Sequence, residues 1–136
     1  MKLSDINPTG VLKQVLTDYG VTQKIYTGDK PTSGLPAEYI ELRQNGGLKT
    51  NLTKMGLVQG YVLLSINVKL LTTGGRNTVR ENIILSTFDG LFKDGAAVKS
   101  RDGYVFSLDP ENIVYSGGGI YEGYSSKLIN ITFNKA

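Results

Sequence analysis

The sequence predicts an α+β domain: a largely antiparallel β-sheet with two α-helices packed on one face and a long projecting hairpin or loop. Three observations carry this reading. Residues 60–71 (GYVLLSINVKLL) set Leu64, Ile66, Val68 and Leu70 at every second position, with Ser65, Asn67 and Lys69 between them. That is the period of a strand with one apolar face. Residues 77–92 change to helical spacing, with Val79, Ile83, Ile84, Phe88, Leu91 and Phe92 read as one apolar stripe. The closing stretch alternates again, Ile129, Ile131 and Phe133 against Leu128, Asn130 and Thr132.

In chain order, Asn7-Pro8 opens the first helix, Asn as cap and Pro at the first helical position. Val11, Leu12, Val15, Leu16 and Tyr19 give it an apolar face, and Gly20 is placed to end it. Residues 24–27 form a short strand, and residues 28–34 (GDKPTSG) a loop by their Gly, Pro and Asx content. Residues 39–43 alternate with Ile40 and Leu42 inward, a half-buried strand. Thr78-Val79-Arg80-Glu81 fits a capping box for the second helix. Beyond it, Val98, Tyr104, Val105, Phe106 and Leu108 suggest short strands around a turn at residues 100–103, and Ile113, Val114 and Tyr115 follow a turn at residues 109–112. The strand face of Leu64, Ile66, Val68 and Leu70 is expected to pack on Val79, Ile83, Ile84 and Phe88. Val11, Leu12, Val15 and Leu16 are expected to join that core.

Composition bounds the chemistry. A chain of 136 residues with 40% hydrophobic content is most simply one domain, 1–136, able to bury a core. It contains no Cys and no His, which excludes disulfides, thiolate or imidazole chemistry and Cys/His metal sites. The start, MKLSDINPTG, has no apolar run resembling a signal peptide, and no stretch approaches membrane-spanning length. The expectation is a protein assembled in the cytoplasm.

Charge is unevenly spread. No acid lies between Glu41 and Glu81, whereas Arg43, Lys49, Lys54, Lys69, Arg76 and Arg80 do. That segment carries +6 of a net +3, so the rest carries −3 (9 basic against 12 acidic residues). Uneven sampling of a solvated surface explains this, and so does a bipolar subunit that meets an acidic partner, its own copy or phosphates.

Residues 44–59 lose the pattern. Asn45-Gly46-Gly47 is a turn signal, and Leu48, Leu52, Met55 and Leu57 are mixed with Lys49, Thr50, Asn51, Thr53 and Lys54. The segment reads as a surface loop, as the tip of an extended hairpin joining residues 39–43 to 61–71, or as an arm whose leucines wait for a partner. The predicted assembly interface is Arg43, Leu48, Lys49, Leu52, Lys54, Met55 and Leu57. Its cations would steer it to an acidic surface.

Other signals are weak. Gly117, Gly118 and Gly119, with Gly123 beyond, lack the following helix that a phosphate loop needs. Asp89, Asp94, Asp102, Asp109 and Glu111 do not have EF-hand spacing and suit turns better. Of eight tyrosines only Tyr61 lies in the acid-free segment, so the aromatic interleaving of a single-strand nucleic-acid surface is missing. No constellation names a reaction, metal or cofactor, and none is expected.

Taken together, the helix of Val11 to Tyr19, the loop from Pro31 to Pro36 leading into a strand, the long strand from Tyr61, the helix from Thr78 and the aromatic closing strands resemble the tail-terminator (tail-completion) family of long-tailed bacteriophages and its neck-protein relatives. The resemblance is one of architecture over most of the chain; the long 44–59 segment and the glycine run depart from it. It implies a non-enzymatic virion protein, a hexameric ring at the head-proximal end of the tail that ends tube growth and joins tail to head. The implied partners are further copies of itself, the tail-tube protein and a head–neck connector. DNA would pass through the lumen without sequence-specific binding. The competing reading is a small standalone module for an anionic ligand or nucleic acid.

Overall fold

The computed structural model describes residues 3–50, 58–109, 114–115 and 120–135. A 3-10 turn (Leu3–Asp5) precedes α1 (Pro8–Tyr19). Asn7 caps α1 by accepting from the Gly10 N–H, and Gly20, at φ 111°, closes it with its N–H on the Leu16 and Thr17 carbonyls. β1 (Lys24–Tyr26) runs parallel to β2 (Glu38–Thr50), which turns back antiparallel into β3 (Val58–Lys69). Then come α2 (Thr78–Leu91), a 3-10 turn (Lys93–Gly95), β4 (Val98–Lys99), β5 (Tyr104–Leu108), β6 (Val114–Tyr115), β7 (Ile120–Tyr121) and β8 (Tyr124–Lys135).

The sheet order is β1-β2-β3-β8-β5-β4, with β6 and β7 also paired to β8. Among the described strands the β1–β2 pair alone is parallel, so the α+β class with a largely antiparallel sheet holds. β3 lies at the centre, in unbroken register with β8 from Val58↔Lys135 to Lys69↔Tyr124. β7 turns into β8 through Glu122 (φ 51°) and Gly123 (φ 84°), the two positive φ values of a type I′ hairpin.

Both helices cover one face of this curled sheet. Leu12 and Leu16 of α1 and Ile84 and Phe88 of α2 share one buried cluster with Leu42, Val62, Leu64, Ile66, Ile131 and Phe133. Val58, Gly60, Val62, Leu64, Ile66 and Val68 are buried at every second position, as the period of two requires. Leu70 falls just past the end of β3 and is only half-buried. Tyr104 ties the N-terminus to the sheet, its hydroxyl accepting from the Asn7 N–H at 2.9 Å.

The stripe expected on α2 needs correction. Val79 and Ile83 are exposed, at 68% and 47%, and the face that meets the sheet carries Glu81, Ile84 and Phe88. At 3.6 residues per turn, positions 79 and 83 lie nearly opposite positions 81, 84 and 88. The apolar letters hid this because a carboxylate, Glu81, occupies a core position. The capping box is likewise replaced. Asn77, not Thr78, is the cap, accepting from the Arg80 N–H at 3.2 Å, and Glu81 points inward.

Ile66→Ala or Ile84→Ala should each cost about 2–5 kcal/mol, the loss of a buried aliphatic side chain plus its cavity. Val79→Ala should stay within about 0.5 kcal/mol, as for other open surface positions. Urea denaturation of the three variants separates them; equal losses at all three would put Val79 in the core.

Candidate assembly surface

The β2–β3 pair runs to one end of the sheet, where Val58 is still in the core and β3 stays paired with β8. Pairing is regular from Glu38↔Val68 to Asn45↔Tyr61 and resumes at Lys49↔Gln59 and Thr50↔Val58. Residues 46–48 therefore face the single residue Gly60, and β2 bulges away from β3. Gly46, at φ 80°, supplies the left-handed turn that starts the bulge. Gly60 is required for a different reason. A Cβ there would lie 2.8 Å from the Phe133 ring and 3.2 Å from Leu48 Cδ2. The ring lies over the glycine on the helix-bearing face, and Leu48 closes over it from the bulge. On the sheet's other face a cleft of about 240 Å³ opens, lined by Gly47, Gln59, Tyr61, Thr132 and Asn134 above the Gly60 backbone.

The hairpin reading of residues 44–59 is thus the one that the strands support, since β2 extends through Thr50 and β3 begins at Val58. Of the residues expected in an assembly interface, Arg43 is exposed on β2, and Leu48 is 38% exposed at the bulge. Lys49 lies in β2 opposite Gln59. Leu52, Lys54, Met55 and Leu57 lie outside the described residues, as does the glycine run from Gly117 to Gly119.

Ion pairing changes the charge picture. Arg43 Nη2 is 2.9 Å from Glu41 Oε1, and Arg76 Nη2 is 2.8 Å from Glu81 Oε2. Arg80 holds Glu38 through two guanidinium nitrogens, Nη2 at 2.8 Å and Nε. Three of the six cations in the acid-free segment are therefore matched by carboxylates of the same chain, two of which (Glu41 and Glu81) bound that segment. A phosphate-binding surface needs cations that can meet it; of these three Arg76 is the most enclosed, and Arg43 stays 65% exposed beside Glu41. The Arg80 pair also holds the Glu38 carboxyl below its ordinary range, and Glu38 in turn raises the Arg80 guanidinium.

Sequence reasoning missed the buried polar centre. Glu81 is fully buried and bonded to Arg76, and its Oε2 accepts from Ser125 Oγ at 3.3 Å. Arg76 also donates to the Ser126 carbonyl at 3.1 Å. This network clips the start of α2 to β8, and its full engagement suits a structural role. A lone Glu letter inside a helix gives no sign of it. The spacing Arg76…Glu81 across the helix start was the available signal.

The sheet face away from the helices is also built, not bare. Tyr39 sits edge-on between Tyr26 and Tyr124, with ring centroids 5.7 and 5.3 Å away. The Tyr124 hydroxyl donates to the Leu35 and Pro36 carbonyls, which anchors the Pro-rich loop. Burial, aided by the charge on Glu41, raises the Tyr39 hydroxyl above its usual value. Among the described residues no group of His, Cys, Asp or Glu side chains could hold a metal ion. No described helix is long and apolar enough to cross a membrane.

No protein-family model matches the chain, and no curated protein does. One solved structure superposes on 93% of this chain and 92% of its own with a TM-score of 0.60 and 9% identity. At that identity the likeness is one of fold alone.

Two outcomes follow from the ion pairs. Arg76→Ala, which strands the buried Glu81 carboxylate, should cost about 3–5 kcal/mol, and adding Glu81→Leu should recover most of that loss; a denaturation series on both variants decides it. Glu38 titrates below its ordinary 4.5 in the folded chain, so its pair with Arg80 stabilises fully above that value and is lost as pH falls through the lowered one. Arg80→Ala should move the Glu38 midpoint up toward 4.5 by carboxyl NMR. An unmoved midpoint would mean the pair does not form in solution.

Proposed function

We propose that this chain is a structural subunit that assembles with copies of itself into a closed ring, at the head-proximal end of a phage tail. There the ring would end tube growth and join tail to head. The observation that carries the reading is the β2–β3 pair. At one end of the sheet β2 bulges away from β3 over residues 46–48 and leaves Leu48 and Tyr61 exposed. Exposed apolar side chains beside an irregular strand suit contact with a neighbour. The order of the elements, helix, strands, helix, strands, agrees with the family resemblance read from the sequence.

On this reading the partners are the same chain, a tail-tube protein and a head–neck connector. The place of action is the virion, and no reaction or cofactor is involved. DNA would cross the lumen without base-specific contacts. A second reading, a module for an anionic ligand, keeps only the cations that the internal ion pairs leave over.

The test is native mass spectrometry of the chain, alone and with tube protein, across a concentration series. A closed ring, six copies by family resemblance, is expected, and excising residues 51–57 with a Gly-Ser bridge should abolish it with little change in the melting temperature. A chain that stays monomeric with and without tube protein would contradict the proposal. Collapse of the fold on excision would show that the hairpin end belongs to the core.

A further inference from the structure

Of the nine asparagines in the sequence, Asn45 alone is followed by glycine. The fold places that pair where β2 leaves the ladder. Asn45 is the last residue before the break, opposite Tyr61, and Gly46 follows at φ 80° without a partner on β3. Both residues are exposed, and a Cβ built on Gly46 would meet nothing within 4 Å. β1 pairs only with residues 39–41, so beyond Glu41 no described strand flanks the outer edge of β2. The Asn45 side-chain amide has no hydrogen-bond partner among the described residues.

An asparagine carries its amide carbon close to the backbone nitrogen of the next residue, and joining the two closes a five-membered ring. Two things ordinarily oppose that closure: the side chain of the following residue, and a paired strand that holds the peptide unit extended. Both are missing here. Gly46 has no side chain and turns through the left-handed region that other residues avoid. The ladder that would hold its peptide unit stops at Asn45. Strand ends of this kind open at little cost in free energy.

We propose that Asn45 is a site of self-modification, converted through a succinimide to an aspartyl or isoaspartyl residue. Hydroxide takes the Gly46 amide proton, the bond from that nitrogen to Asn45 Cγ forms, and the Cγ–Nδ2 bond breaks, releasing ammonia that solvent protonates. One water then opens the ring. Attack at Cγ restores the ordinary peptide bond and leaves an aspartyl side chain. Attack at the Asn45 main-chain carbonyl routes the chain through Cγ, an isoaspartyl link one methylene longer. The sum is amide plus water giving carboxylate plus ammonium. Either product puts a new carboxylate on the outer face beside Arg43, which lies two positions back, 65% exposed and 2.9 Å from Glu41. It ends the acid-free run between Glu41 and Glu81 at the bulge. The longer link falls where β2 already departs from β3. This inference stands without the ring reading, although the surface it alters is the one that reading uses.

The test follows the folded chain and the same chain held unfolded in urea, each kept warm at neutral and at mildly alkaline pH. Peptide mapping by mass locates the modified residue, and an isoaspartyl methyltransferase assay separates the two products. Modification should concentrate at Asn45, give both products and quicken as pH rises. The folded chain should modify within about tenfold of the unfolded one, because the end of β2 gives little protection. Asn45→Gln, at an exposed position, should lose the modification, since its ring would need a further member. A folded chain slower than that margin shows that β2 shields Asn45 and overturns the proposal. So does modification no greater at Asn45 than at the other asparagines, or an aspartyl product with no isoaspartyl beside it, which would mean direct hydrolysis.

Discussion

β3 is hydrogen-bonded along both edges, to β8 without interruption and to β2 with one, and the rest of the structure depends on that double constraint. With both neighbours fixed in register, a slip of one residue would turn Val62, Leu64, Ile66 and Val68 to the outer face together. The helices are then placed by what β3 presents. α2 packs on it through Ile84 and Phe88, and α1 closes the flank through Leu12 and Leu16. The constraint also explains where irregularity goes. β8 matches β3 residue for residue, so the extra residues of β2 can be taken up only on β2 itself, at 46–48. The cleft lies beside that accommodation, whereas Phe133 covers Gly60 because the two are direct partners across β3 and β8.

The second organising feature is polar. Glu81 takes a core position on α2 that an aliphatic residue would fill more cheaply, and Arg76 and Ser125 satisfy it. A buried pair of this kind adds little net stability against an apolar replacement, yet it permits one geometry only. Here Glu81 faces inward with Ile84 and Phe88, and the three together set the rotation of α2 about its own axis. That rotation turns Val79 and Ile83 outward. The buried ion pair and the exposed apolar ridge are thus two sides of one orientation.

Regular alternation and local capping were legible in the sequence. The strand of Leu64, Ile66 and Val68, the Asn7-Pro8 start and Gly20 end of α1, and the closing strand of Ile129, Ile131 and Phe133 each depend on neighbours a few positions away. α2 was legible as a helix but not in its facing, because hydropathy assigns every apolar residue inward and every carboxylate outward. The cation count failed similarly. Arg43, Arg76 and Arg80 look like a free positive stretch until Glu41, Glu81 and Glu38 are brought beside them, and the last of these pairs spans 42 positions. The hairpin end was half legible. Asn45-Gly46-Gly47 marked an irregularity, but the continuation of β2 to Thr50 depends on β3 as a template, which no local pattern of residues 44–50 discloses.

Amide hydrogen exchange, compared in the free chain and at concentrations where it associates, tests the central claim most directly. In both states β3 should exchange slowest, since both of its edges are paired. On association, new protection should appear at the strand ends, residues 45–50 and 58–61. No new protection there while mass shows an oligomer would contradict an assembly built on this end of the sheet.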